Sequence, residues 1–138
     1  MTSRLNPYIS FADNAREAIE FYASVLGGVP TISTFGEFGM EGVNPDGVMH
    51  SMLVTDLGFT IMAADTPVGM GIDRVEGNNI TVSLSGDDEV LRTYFEGLAE
   101  DGTILVPLEK QMWGDEFGQL VDKFGIAWMV NLSPAAQA

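Results

Sequence analysis

Apolar positions spaced three and four apart run through Ala15, Ala18, Ile19, Tyr22, Val25 and Leu26, with Arg16, Glu17 and Glu20 between them. That period is one face of an α-helix, so a helix is predicted over 15–26. Asp13 or Asn14 stands ready as its cap, and Gly27-Gly28 supplies the stop. Upstream, Asn6 to Phe11 carries Tyr, Ile and Phe between Pro7 and Asp13 and reads as a strand. Downstream, strands are predicted over Thr31–Phe35 and Val48–Val54, separated by the Gly-rich stretch Gly36–Gly47, whose composition suggests a mobile loop. Asp56-Leu57-Gly58 then turns the chain into a strand over 59–63, making an antiparallel hairpin.

The pattern repeats. A strand is predicted over 80–85, a helix capped by Asp87 runs to about Ala99, and Asp101-Gly102 turns into an extended segment over 104–107. Strands over 117–121 and 126–131 then flank Asp122-Lys123-Phe124-Gly125. A shift of 73 positions lays Ile9 on Val82, Phe11 on Leu84, Ala18 on Leu91 and Tyr22 on Phe95. A shift of 67 lays Leu57-Gly58-Phe59-Thr60-Ile61-Met62 on Phe124-Gly125-Ile126-Ala127-Trp128-Met129. The expected fold is α+β, with two tandem βαβββ modules whose mixed sheets curve into a half-barrel around a concave cavity. Module one spans about 5–65, a linker about 66–78 and module two about 79–132, within a single domain of 138 residues.

Composition narrows the functions. No apolar run approaches the roughly 20 residues needed to cross a bilayer, and no signal-like apolar core follows Met1. A soluble protein without a membrane partner is expected. Six Lys and Arg against 20 Asp and Glu give a net charge of −14, which repels a phosphate backbone and argues against nucleic acid. The chain has no Cys, hence no disulfide, thiolate nucleophile or sulfur-ligated metal, and the cytoplasm is the expected compartment.

Four segments carry a resemblance: Asn14-Ala15-Arg16-Glu17-Ala18-Ile19-Glu20-Phe21-Tyr22, Met49-His50, Ile61-Met62-Ala63-Ala64-Asp65, and Trp113 to Gly118 continuing through Asp122 to Asn131. Together they resemble the vicinal oxygen chelate superfamily of glyoxalase I, extradiol dioxygenases and bleomycin-resistance proteins. The nearest likeness is to its PhnB-like branch, often labelled demethylubiquinone-methyltransferase-like. The resemblance implies paired βαβββ modules and a homodimer, which the exposed sheet edges also favour. It further implies a divalent metal held from the first, fourth, fifth and eighth strands. Here those positions fall at about Asn6 or Pro7, Met62, Thr81 and Met129. None is a His or Glu, and a thioether is a poor ligand for hard or borderline cations, so no metal and no other cofactor is expected. No Gly-rich nucleotide turn supports a methyl-donor site either.

His50, the sole imidazole, is the candidate for acid–base chemistry, set against the plainer reading of a strand-end His hydrogen-bonded in the fold. Tyr8, Met52, Met62, Thr81, Trp113 and Met129 are candidate ligand-binding residues of an aromatic and Met-lined cavity, although each Met equally suits core filling. Trp128 and Met129 adjoin on a strand, so one faces the cavity and the other the helix; the resemblance puts Met129 inward. Glu116, beside Asp115 in a loop after Trp113, is a further candidate that would attract a cationic or metal-bound ligand, against the reading of a solvated turn. Asp87 and Asp88 are read as helix capping, and Glu37 and Glu41 have no assigned role.

Three functions are consistent with these residues. The preferred one is binding of a small organic molecule without the usual divalent metal. The alternatives are a metal-dependent lyase, isomerase or dioxygenase using His50 with Asp65 or Glu116, and a non-catalytic assembly or regulatory protein.

Overall fold

The computed structural model describes residues 3–67, 69 and 73–134; positions 68 and 70–72 of the expected linker lie outside the described residues. The chain divides into two compact units, Met1–Glu76 and Gly77–Ala138. The first contains β1 (Tyr8–Phe11), α1 (Ala15–Leu26), β2 (Thr31–Thr34), β3 (Val48–Val54) and β4 (Thr60–Asp65). Its sheet order is β1-β4-β3-β2, with β1 parallel to β4 and the other pairs antiparallel. Helix α1 has the predicted bounds and buries Ala15, Ala18, Ile19, Tyr22 and Leu26. Opposite it, Phe11, Leu53, Ile61 and Ala63 are also buried. Alternation along each strand makes this the helix-covered face. Ser51, fully buried among them, donates its hydroxyl to the Ala63 carbonyl at 2.6 Å, which removes the penalty of an unpaired polar group.

The second unit repeats the plan with β5 (Val82–Gly86), α2 (Val90–Ala99), β6 (Thr103–Lys110), β7 (Glu116–Val121) and β8 (Ala127–Leu132), ordered β5-β8-β7-β6. Leu91, Tyr94, Phe95 and Leu98 of α2 are buried, as are Leu84, Leu120, Trp128 and Val130 of the sheet. Gly118 lets Phe95 approach: a Cβ there would lie 2.8 Å from the Phe95 ring and 2.9 Å from Leu108 Cα. The fold is therefore α+β with two βαβββ modules, as the sequence predicts.

The two hairpins match at the predicted shift of 67. Gly58 and Gly125 both take a positive φ, 85° and 87°, and both donate back to the residue three before, Thr55 and Asp122. The shift of 73 is corrected. Tyr8 pairs with Met62 and Ser83 with Met129, so β1 maps onto β5 at 75. The buried set Ala15, Ala18, Ile19 and Tyr22 maps onto Leu91, Tyr94, Phe95 and Leu98 at 76. A slip of two keeps a strand's face and a slip of three nearly keeps a helix's face, so periodicity alone does not detect either.

The expected cap of α1 changes, and at α2 the capping falls to Asp88 rather than Asp87 of the expected pair. Asn14 makes no capping bond with its side chain; Asp65 Oδ1 accepts from the Ala15 N–H at 2.9 Å instead. Helix α2 begins two residues later than Asp87 implies, and Asp88 Oδ1 accepts from the Val90 N–H at 3.0 Å. The stretch Gly36–Gly47 is internally bonded rather than featureless. It contains a 3-10 turn at Gly36–Phe38, with Phe35 N–H donating to Gly47 O and Gly36 N–H to Pro45 O over the buried Phe35 ring.

Candidate functional site

The face of the first sheet turned away from α1 carries a continuous row: Tyr8 pairs with Met62, Met62 with Met52, and Met52 with Thr31. One step along the strands, Ser10 pairs with Ala64 and His50 with Ser33. The His50 imidazole meets the Tyr8 ring edge-on, with centroids 5.6 Å apart and planes at 79°. Tyr8 is 50% exposed, while His50, Met52 and Met62 are half-buried. The four candidates thus share one surface of aromatic and thioether groups. At its end lies a hollow of about 440 Å³ lined by Tyr8, Ser10, Phe35, Met49, Ala64 and Asp65. Asp65 is not free for chemistry there, because Oδ1 accepts from Ala15 N–H and Oδ2 from Val48 N–H, each at 2.9 Å. It ties the start of α1 and the start of β3 to the end of β4.

The face of the second sheet turned away from α2 is more polar. Met129 pairs with Ser83 and Gln119, and Asn131 with Ser85 and Phe117, while Trp128 points to the helix side and is fully buried. Thr81 is half-buried and precedes β5 by one residue. Trp113, 60% exposed in the β6–β7 turn, sets its ring edge-on to Phe117 with centroids 6.2 Å apart. Asn131 Nδ2 donates to Asp115 Oδ2 at 2.9 Å, fixing the same turn to β8.

Glu116 departs from this group. It opens β7 with the parity of Gly118 and Leu120, on the helix side, and its carboxylate pairs with Arg92 of α2. Arg92 also holds Glu89 and, between two carboxylates, has its pKa raised above the ordinary arginine value, chiefly by the hydrogen bonds it donates to Glu116 and then by that to Glu89. The structure therefore separates Glu116 from the Met129 face.

Register also decides which residues flank the methionines: Tyr8 beside Met62 and Ser83 beside Met129, two positions beyond Asn6 and Thr81. Phenol, thioether and hydroxyl groups are a poor donor set for a divalent cation. Among the described residues, no three His, Cys, Asp or Glu side chains gather as a metal cluster. The residues present do not fit the metal that the fold class implies.

The structural work of two carboxylates escaped the sequence reading, which names Asp65 only as a possible partner of His50 and gives Asp122 no role. Asp65 closes a strand after two alanines, and Asp122 opens the β7–β8 turn. Asp122 Oδ1 accepts from Phe124 N–H at 2.8 Å and Ile126 N–H at 3.1 Å, while Oδ2 accepts from the Trp128 indole at 2.9 Å. An Asp just before a four-residue turn was the available signal.

Paired βαβββ modules, each with a helix on one face of a four-stranded mixed sheet, are the glyoxalase/bleomycin-resistance/dioxygenase class of fold. A Frankia domain of that description shares this fold, with a TM-score of 0.65 at 15% identity over 99% of this chain and 96% of its own. Within the class, the chain belongs to the 3-demethylubiquinone-9 3-methyltransferase family, whose model matches residues 3–131. Protein PA1353 of Pseudomonas aeruginosa is 32% identical with a TM-score of 0.82, covering 96% of this chain and 99% of its own. A PhnB protein of Bacillus cereus is 25% identical with a TM-score of 0.75, covering 95% and 100%. YjdN of Escherichia coli strain K12 is 29% identical, covering 93% of this chain and 94% of its own length.

Proposed function

We propose that this PhnB-like protein binds a small organic molecule on the aromatic and Met-lined face of its first sheet, without the divalent metal usual in the class. The observation that supports this is the row Tyr8–Met62–Met52 with His50 against Tyr8, in which apolar, polarisable groups stand where metal chemistry needs imidazole or carboxylate. His50 serves there as a hydrogen-bonding partner for the ligand, and the Tyr8 ring as a stacking surface. The cytoplasm and a homodimer complete the proposal; among the described residues no helix is long and apolar enough to cross a membrane.

Elemental analysis of the untagged protein, in moles of Mn, Fe, Co, Ni, Cu and Zn per protomer, is the first test. Less than about a tenth of an equivalent is expected, because no donor set here selects those ions. About one equivalent, with activity lost on its removal, would overturn the proposal in favour of a metal-dependent enzyme of the class. A thermal-shift screen of small aromatic compounds is the second. A ligand at 100 times its Kd adds about 2.7 kcal/mol of stability. Tyr8→Ala should abolish the shift for true ligands of this face.

A further inference from the structure

We propose a second binding site, in the groove between α2 and β6, for a small organic cation with an apolar body. The groove has a volume of about 600 Å³, within the range of ligand pockets, and lies wholly inside the second unit. Its floor is apolar, made by Phe95, Ala99, Ile104, Pro107 and Leu108. This floor is unusual for where it sits. Strand β6 ends the sheet order, yet it carries Ile104-Leu105-Val106-Pro107-Leu108 in succession, with Ile104 50% and Leu105 58% exposed. Edge strands are ordinarily blunted by charge, bulges or Pro. Here Pro107 and two register shifts disrupt the ladder but leave Ile104, Leu105 and Pro107 exposed.

Charge selects the occupant. Arg92, Glu96 and Glu100 lie along the groove at successive turns of the helix and its C-cap. The Arg92 guanidinium is already taken by Glu89 and Glu116, so it offers no net positive charge. Among the described residues the carboxylates of Glu96 and Glu100 are in no ion pair or hydrogen bond; they are one turn apart and stand at the negative end of the helix dipole with no basic residue in the last turn. Like charges at i and i+4 and acids at a helix C-terminus both oppose the helix. An ammonium or amidinium head at this rim relieves both, while its apolar body covers Ile104, Pro107 and Leu108. A second copy of the chain would have to bring one of its six Lys and Arg to Glu96 and Glu100, whereas an organic cation supplies the charge and the apolar body together. Anionic ligands are repelled by the same two carboxylates.

The probe is 1-naphthylmethylammonium, compared with the neutral 1-naphthalenemethanol, titrated into the whole 15N-labelled chain and followed by amide shifts. Perturbations at 95–100 and 104–108 are expected for the cation and only weakly for the alcohol. The double variant Glu96→Gln/Glu100→Gln should bind the cation about tenfold more weakly. It should melt no lower than the parent, because two opposed carboxylates are removed. Glu37→Gln/Glu41→Gln makes the same change in net charge far along the sequence and should leave affinity unchanged. Unperturbed groove amides, equal binding of the alcohol, or an equal loss in the Glu37/Glu41 variant, which would reveal diffuse attraction to an acidic protein, each overturns the proposal. Loss of the thermal shift in Tyr8→Ala tests the first-sheet site separately and has no bearing on this one.

Discussion

Replacing Asp122 should reveal how much of the second module hangs on one turn. The residue is 3% exposed and accepts three hydrogen bonds, from two turn amides and from the indole of a Trp128 that is fully buried. In Asp122→Ala the indole N–H loses its partner where water has little access, at about 2 kcal/mol. The Phe124 and Ile126 amides are half-buried and recover part of their loss to solvent, at about 0.5–1 kcal/mol each. The expected loss is about 3–4 kcal/mol, a large share of a typical total of roughly 5–15 kcal/mol. The first module suggests a graded control, since Thr55 occupies the equivalent turn position and accepts from Phe59 N–H at 3.1 Å through its hydroxyl. Asp122→Thr should therefore regain about 1 kcal/mol over Asp122→Ala by satisfying the Ile126 amide while leaving the indole unpaired. Urea denaturation followed by far-UV circular dichroism at neutral pH measures all three chains. A loss below about 1 kcal/mol for Asp122→Ala, or no difference between Thr and Ala, would refute the assignment of the turn's stability to these bonds.

Gly28→Ala should destabilise by at least about 3 kcal/mol in the same assay, because Gly28 has φ 91° and a Cβ would press on the Val54 carbonyl oxygen. Asp65→Ala should lose about 2–3 kcal/mol by orphaning the Ala15 and Val48 amides; urea midpoints report it, and hydrogen exchange should quicken at the start of α1. Met62→Ala, at a half-buried position, should lower stability by only about 1 kcal/mol yet remove most of the thermal shift given by a ligand of the first-sheet face. With a net charge of −14, the protein should melt higher as NaCl rises from about 0.02 to 0.3 M, since screening weakens self-repulsion.

Much of this architecture is legible in the residues. Helix α1 is bounded by its own periodicity and by Gly27, and the two hairpins announce themselves through Gly58 and Gly125 in matching turns. What pattern leaves open is anything that preserves phase. The first repeat shift misses by two in the strand and three in the helix because neither slip moves an apolar residue off its face. Strand β6 runs to Lys110, beyond the expected 107, because Glu109 and Lys110 sit on an edge where polar side chains meet water and lose their signal. At the site, Tyr8, His50, Met52 and Met62 come together because strand pairing aligns residues of one parity. Glu116 does not join the Met129 face, since the loop expected around it is already the first residue of β7, and that residue's parity faces α2.

The duplication bears on the metal as well as on the fold. Met62 and Met129 are equivalent under the shift of 67, and register sets each beside the equivalent residue of its own first strand, Tyr8 or Ser83. A thioether therefore stands at the same place in both modules, with no imidazole or carboxylate next to it in either row. Had one module kept a hard donor there, a single glutamate or histidine would still anchor a cation and the row in the other module would matter less. With a thioether in both, the modules share their strand pairing and a helix on one face, and neither row offers the donors that coordination needs. The surrounding groups then differ between modules, with an aromatic ring and a second methionine along the first row and hydroxyl and amide groups along the second. On the proposed function, a ligand held by contact would be selected by shape and polarity rather than by its ability to bridge a metal, and the face rich in Tyr8, Met52 and Met62 would set specificity for an apolar or aromatic body.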